Sequence, residues 1–185
     1  MDLLGLDRQL FAIINQNALR NPVLDGLMMV VSSHSLWAVL LALTVIRAAI
    51  WKDRELWRII AVLVVAIAVS DSFCAYVLKP WVARWRPCHE LAGVLLPGGR
   101  CGGLYGFPSN HAVNAGAVAA VMFQFSHVIR RGWIAAAATA ALLVAFSRVW
   151  LGVHYPVDVA GGLMVGVITG SSVAASFRHW RAGRA

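Results

Sequence analysis

Apolar runs long enough to cross a bilayer recur along this chain, and they constrain it more than any other feature. They lie at about 35–51, 57–80, 108–127, 132–150 and 155–177. A backbone in lipid has no water to bond, so each run must close its own hydrogen bonds as a helix of roughly 20 residues. The chain is 60% hydrophobic and only 13% charged, against about a quarter charged in soluble domains. The expected architecture is an all-α integral membrane helical bundle of five to six transmembrane helices with an N-terminal interfacial helix. Residues 1–185 are read as a single membrane-embedded domain, with 1–32 interfacial or re-entrant and 35–178 forming the core spans. Asp2, Asp7 and Arg8 open the chain without a basic stretch ahead of a long apolar core, so no cleavable signal peptide is expected.

The formal charge of +8 could indicate nucleic acid, but its distribution argues against that partner. Lys52, Arg54, Arg58, Arg130, Arg131, Arg178, Arg181 and Arg184 fall on one side of a five-span chain. That side should be cytoplasmic by the positive-inside rule. The chain then reads as a multi-pass plasma (bacterial inner) membrane protein with its 81–107 connection facing the periplasm or exterior. Residues 3–18 read as an amphipathic helix lying in the interface, broken at Asn21-Pro22. Gly162, Gly166 and Gly170, four residues apart, read as small residues that let helices approach closely.

Three polar stretches remain, and this topology brings all three to the outer level. Lys79-Pro80-Trp81-Val82-Ala83-Arg84-Trp85-Arg86-Pro87 ends the second span. Pro108-Ser109-Asn110-His111 opens the third, and Ser147-Arg148 through His154 to Asp158 joins the fourth to the fifth. Taken singly, the cations could be snorkelling anchors and Ser109 a helix cap. Together, Lys79, Arg86 and Arg148 supply three cations, His111 and His154 two titratable rings, and Asp158 a carboxylate. Ser109 and Asn110 add amides at a helix N-terminus, a ready anion site. Charges this close to hydrocarbon are costly without a function. Cations with amide donors suggest phosphate, and two histidines suggest its transfer.

The pattern resembles the three-part signature of the type 2 phosphatidic acid phosphatase superfamily, which also includes soluble bacterial acid phosphatases and vanadium haloperoxidases. The parts are Lys79 with Arg86-Pro87, then Pro108-Ser109-Asn110-His111, then Ser147-Arg148 with His154 and Asp158; their order and spacings match across about 70–165. Asn110 stands where Gly is commonest. The resemblance implies that Lys79, Arg86 and Arg148 hold phosphoryl oxygens, assisted by Ser109 and the Asn110 amide. It implies that His154 attacks phosphorus, that His111 protonates the leaving oxygen and then helps activate water, and that Asp158 holds the His154 ring. A neutral His154 beside a protonated His111 should give a bell-shaped pH–rate profile. No cofactor is expected and no metal, since no second carboxylate cluster is present to hold Mg²⁺.

The activity so implied is a metal-independent lipid phosphatase acting on a lipid mono- or diphosphate through a phosphohistidine. Its partners would be the lipid phosphate substrate and membrane lipids. Undecaprenyl diphosphate is the substrate best suited to an outward site; lipid A 1-phosphate and phosphatidylglycerophosphate compete. A lipid phosphotransferase would use the same site, and an anion transporter could use the same cations without turnover. If the 81–107 loop faces an oxidising compartment, Cys88 and Cys101 could pair as a disulfide; the alternative is two free thiols. The apolar segment 90–97 either dips into the interface or packs as ordinary loop. Asp71, inside the second span, is expected to hydrogen-bond a neighbouring helix or to support the cation site, and Asn114, one turn after His111, to orient that ring or meet substrate.

Overall fold

The computed structural model describes residues 3–16 and 20–183. Arg184 of the basic tail and residues 17 and 18 of the first expected helix lie outside the described residues. Helices α1 (Leu3–Asn15), α2 (Pro22–Val31), α3 (His34–Ile50) and α4 (Arg54–Phe73) come first. The last continues through a π-helical turn (Cys74–Leu78) into α5 (Lys79–Val82). After the short α6 (Pro87–Glu90) come α7 (Asn110–Gln124), α8 (Arg131–Trp150) and α9 (Pro156–Ala182). Local chemistry sets these boundaries. Asn21 accepts from the amides of Val23 and Leu24 ahead of Pro22 at the first helical position, and Asp53 caps α4 through the Leu56 amide. Ser33 caps α3 through the amide of Leu36.

Among the described residues three helices are long and apolar enough to cross a membrane: Arg54–Val82, Arg131–Trp150 and Pro156–Ala182. The bent pair α2–α3, with a 48° break, makes a fourth if it counts as one span. The expected third span is shorter than the sequence suggests. α7 has 15 residues, about 22 Å at 1.5 Å per residue, against a hydrocarbon core of about 30 Å. Its polar N-terminus begins inside the bundle, with Ser109 wholly buried.

The pair α7–α9 is the centre of the fold, and glycine makes it possible. A methyl group on Gly166 would lie 2.0 Å from the Val113 carbonyl oxygen, and one on Gly170 2.7 Å from that of Ala117. Backbones this close are the small-residue packing expected from the four-residue spacing. Away from the site, Ile59, Val62, Ala66, Val121, Phe125 and Ala174 form one apolar cluster. At the site end, Phe11, Ala112, Ala145, Val149, Tyr155 and Val159 form another. Phe123, Leu142, Met164 and Ile168 are exposed, the distribution of a chain whose solvent is lipid.

α1 differs from a simple amphipathic helix. Its buried residues are Asp7, Phe11 and Asn15, one stripe at four-residue spacing, while Leu3, Leu4, Leu10 and Ile13 face outward. Between α5 and α7, Cys88 and Cys101 are joined in a disulfide, and Trp85 bridges Tyr105. The apolar loop segment packs inward: Leu91 and Val94 on the Tyr155 cluster, Leu96 on the Trp150 cluster.

Candidate active site

The site is built around the loop between α8 and α9. Gly152 has φ +78°, and a side chain there would meet the Leu95 carbonyl at 2.5 Å, so the turn requires glycine. It delivers His154 into the protein with 1% of its surface exposed. One turn on, Asp158 is wholly buried. Its Oδ2 accepts from the Tyr155 amide at 2.9 Å and lies 3.5 Å from His154 Nδ1. On the other side of the ring, Arg86 donates to Nε2 at 2.9 Å. A guanidinium has only donors, so Nε2 is the lone-pair nitrogen and the proton of the neutral ring sits on Nδ1, toward Asp158. Burial, then the charges of Arg86, Arg148 and Lys79, hold His154 well below the ordinary imidazole value. The ring is therefore neutral, with its lone pair aimed at a cluster of cations.

Those cations arrive from three elements. The π-turn widens the helix just before Lys79, as such turns often do at functional sites. Lys79 Nζ donates to the carbonyls of Pro108 at 2.9 Å and Tyr105 at 3.2 Å. Ala83, in the left-handed region at φ 48°, then turns the chain toward Arg86. Arg86 also donates to the carbonyls of Gly103 and Val153. Arg148, in the last turn of α8, donates to the Ser32 hydroxyl, while its Nε is buried without a partner. Ser109 stands at the N-cap of α7 with its hydroxyl buried and unpartnered. Its amide donates to the Asp158 carbonyl at 3.0 Å, which ties the start of α7 to the start of α9.

Lys79, Arg86, Ser109, His111, Arg148, His154 and Asp158 thus converge. The Asn110 and Asn114 side chains point elsewhere: both donate to Asp71 Oδ1, at 2.9 and 3.0 Å. That leaves Asn110 its backbone amide in the first turn of α7, and it places Asp71 as a brace for that turn. Asn114 meets Asp71 rather than the His111 ring. His111 lies against His34, ring centres 4.8 Å apart. Among the described residues no group of three or more His, Cys, Asp or Glu side chains could hold a metal ion.

Several residues at this end carry no obvious sequence signal. Arg84 donates to Asp158 Oδ1 at 3.0 Å and to Asp7 Oδ2 at 2.6 Å. Asp7 Oδ1 accepts from the Val157 amide at 2.9 Å. Asn15 donates to the carbonyls of Trp150 and Leu95 and accepts from the Leu95 amide. Tyr155 donates to Glu90, which also pairs with Arg8. Ser32 and His34, at the break between α2 and α3, reach Arg148 and His111. The one available hint was a carboxylate and an amide eight residues apart, about two helical turns, inside an apolar helix, at Asp7 and Asn15.

The family model of the PAP2 superfamily matches residues 60–181, which contain all three polar stretches. A lipid A 4'-phosphatase of Porphyromonas gingivalis is 28% identical over 176 residues, covering 92% of this chain and 72% of the relative. An undecaprenyl-diphosphatase of Sulfolobus acidocaldarius is 28% identical over 165 residues, covering 88% and 74%. The crystal structure of Aquifex aeolicus LpxE superposes with a TM-score of 0.70 at 26% identity, covering 91% of this chain and 94% of that one. With the match spanning the helices that carry the cluster, the chain belongs to the PAP2 superfamily and is one of its membrane lipid phosphatases.

Proposed function

We propose that this protein removes the terminal phosphate from a lipid mono- or diphosphate by way of a phosphohistidine on His154. The observation that carries the reading is the ring's orientation, with Nδ1 toward Asp158 and the Nε2 lone pair toward Arg86. In the reaction Arg86 passes from Nε2 to a phosphoryl oxygen, and Nε2 attacks phosphorus. Lys79, Arg148, Ser109 and the Asn110 amide hold the remaining oxygens, where fixed cations and dipoles stabilise the charge of the transition state. Asp158 stabilises the imidazolium as the bond forms. His111 gives its proton to the leaving oxygen and then takes one from the water that hydrolyses the phosphohistidine.

Undecaprenyl diphosphate is the substrate we assign, acting at the outer leaflet of a bacterial inner membrane with five spans and the basic loops inside. The undecaprenyl-diphosphatase relative supports it. A lipid A phosphate is the second reading, supported by the lipid A 4'-phosphatase that matches most of the chain. Phosphate release by the purified protein from undecaprenyl diphosphate, a lipid A phosphate and phosphatidylglycerophosphate, measured in EDTA, decides between them. Turnover of the diphosphate at least tenfold above the others is expected, with loss in His154→Ala. A preference for the lipid A phosphate reverses the assignment, and binding without release favours transport.

A further inference from the structure

Arg84 links the N-terminal helix to the carboxylate that holds the nucleophile. Its side chain is 17% exposed and sits between two carboxylates that are 2% and 0% exposed, those of Asp7 and Asp158. Its guanidinium also covers the Tyr155 ring, 4.3 Å from the centroid. Each oxygen of Asp158 has a distinct task. Oδ1 takes the Arg84 bond, while Oδ2 takes the Tyr155 amide and faces His154. The Tyr155 amide holds Oδ2 alone, so without Arg84 the carboxylate would keep a single bond and could turn about it. Asp7 completes the arrangement. It holds the second arm of Arg84, and its other oxygen ties the Val157 amide in the first turn of α9. One guanidinium shared by two carboxylates also leaves Asp158 net negative charge to place against the His154 ring. α1 therefore braces the nucleophile loop at both ends, through Asn15 at Trp150 and Asp7 at Val157.

We propose that Arg84 and Asp7 are positioning residues for phosphoryl transfer, fixing the rotamer of Asp158, which together with the Arg86 bond to Nε2 holds the Nδ1-protonated tautomer of His154. Neither is assigned a contact with the phosphate, so neither should act on substrate binding. The inference rests on His154 being the nucleophile, as argued under Proposed function.

The test uses the full chain in detergent and three substitutions: Arg84→Gln, Arg84→Lys and Asp7→Asn. Asp7→Asn keeps an oxygen for the Val157 amide and turns a donor toward Arg84, so it breaks only the shared bridge. A reacting group displaced by about 1 Å costs on the order of 10²-fold in rate, and that loss is expected in kcat, with KM within about threefold of the unmutated protein. A brace that merely stabilised the fold would leave the ring unchanged, so the second readout is the ¹⁵N spectrum of His154, recognised by its loss in His154→Ala. The unmutated protein should show the Nδ1-protonated form and the variants a mixture of tautomers. If Arg84→Gln does not fold, Arg84→Lys and Asp7→Asn carry the test. Wild-type kcat in those two variants, or slowed turnover with an unaltered tautomer, overturns the proposal. Failure of the nucleophile reading is distinguishable, because the unmutated protein would then turn over without a phosphohistidine while the tautomer arm still reports on Arg84.

Discussion

Gly166→Ala is the substitution that ties the packing of this bundle most directly to its chemistry. The added methyl carbon would stand 2.0 Å from the Val113 oxygen and 2.8 Å from the Ala117 nitrogen, whereas ordinary contact begins near 3.4 Å. Both obstacles are helix backbone and have no rotamer to yield, so α7 and α9 must separate by about 1.4 Å. Overpacking of this kind costs about 1–3 kcal/mol, equivalent to roughly 2–12 °C in Tm for a chain of this size. The separation also moves the two halves of the site apart. α7 carries Ser109 and His111, α9 carries Asp158, and the Ser109 amide bonds the Asp158 carbonyl. A displacement of that size costs on the order of 10²-fold in rate. Thermal unfolding in detergent and phosphate release should therefore fall together. Gly170→Ala, whose methyl would lie 2.7 Å from the Ala117 oxygen, should follow with a smaller loss. Gly132→Ala, which meets nothing within 4 Å, should change neither. Gly166→Ala with wild-type Tm and activity would refute the claim that this backbone contact sets the site.

Replacing His111 with Ala should slow hydrolysis of a lipid monophosphate by about 10²–10⁴-fold and a diphosphate less, because a phosphate leaves more readily than an alkoxide; equal losses would remove His111 as the acid. Cys88→Ser with Cys101→Ser opens a loop of sequence separation 13, which should cost about 3 kcal/mol by loop entropy and lower Tm as reductant does. An unchanged Tm would show that the bond leaves stability untouched. His154 is held below its ordinary value of 6.5, so between its folded value and 6.5 the unfolded chain binds the extra proton. Stability should be full above about pH 6.5 and fall as pH drops below it, a fall that flattens in His154→Gln as followed by Tm against pH.

The cluster was legible in the sequence where its residues lie at the ends of apolar segments. Arg86, His154 and Asp158 could be grouped because charges at the ends of apolar segments demand a reason, and the glycine spacing of α9 announced a close helix contact, whose partner the structure shows to be α7. The supporting residues were harder to read. Asp7 and Asn15 sit in a helix whose leucines invite an interfacial reading, yet in lipid the apolar face turns outward and the polar stripe is buried. His34 and Ser32 meet the site only because α2 and α3 break against α7 and α8. The side chain of Asn110 could not be oriented before Asp71 was seen to claim it. α7 came out shorter than its apolar run, at 15 residues, because its start is a buried polar turn whose Ser109 amide bonds the Asp158 carbonyl.

The central claim is that phosphate passes through His154. Rapid quenching under alkaline conditions, after mixing the protein with lipid labelled in its terminal phosphate, followed by peptide mapping, tests it most directly. Label should appear on the peptide containing His154 within the first turnover, disappear as phosphate is released, and be absent from His154→Ala. Turnover with inversion at phosphorus, or label on any other residue, would contradict it.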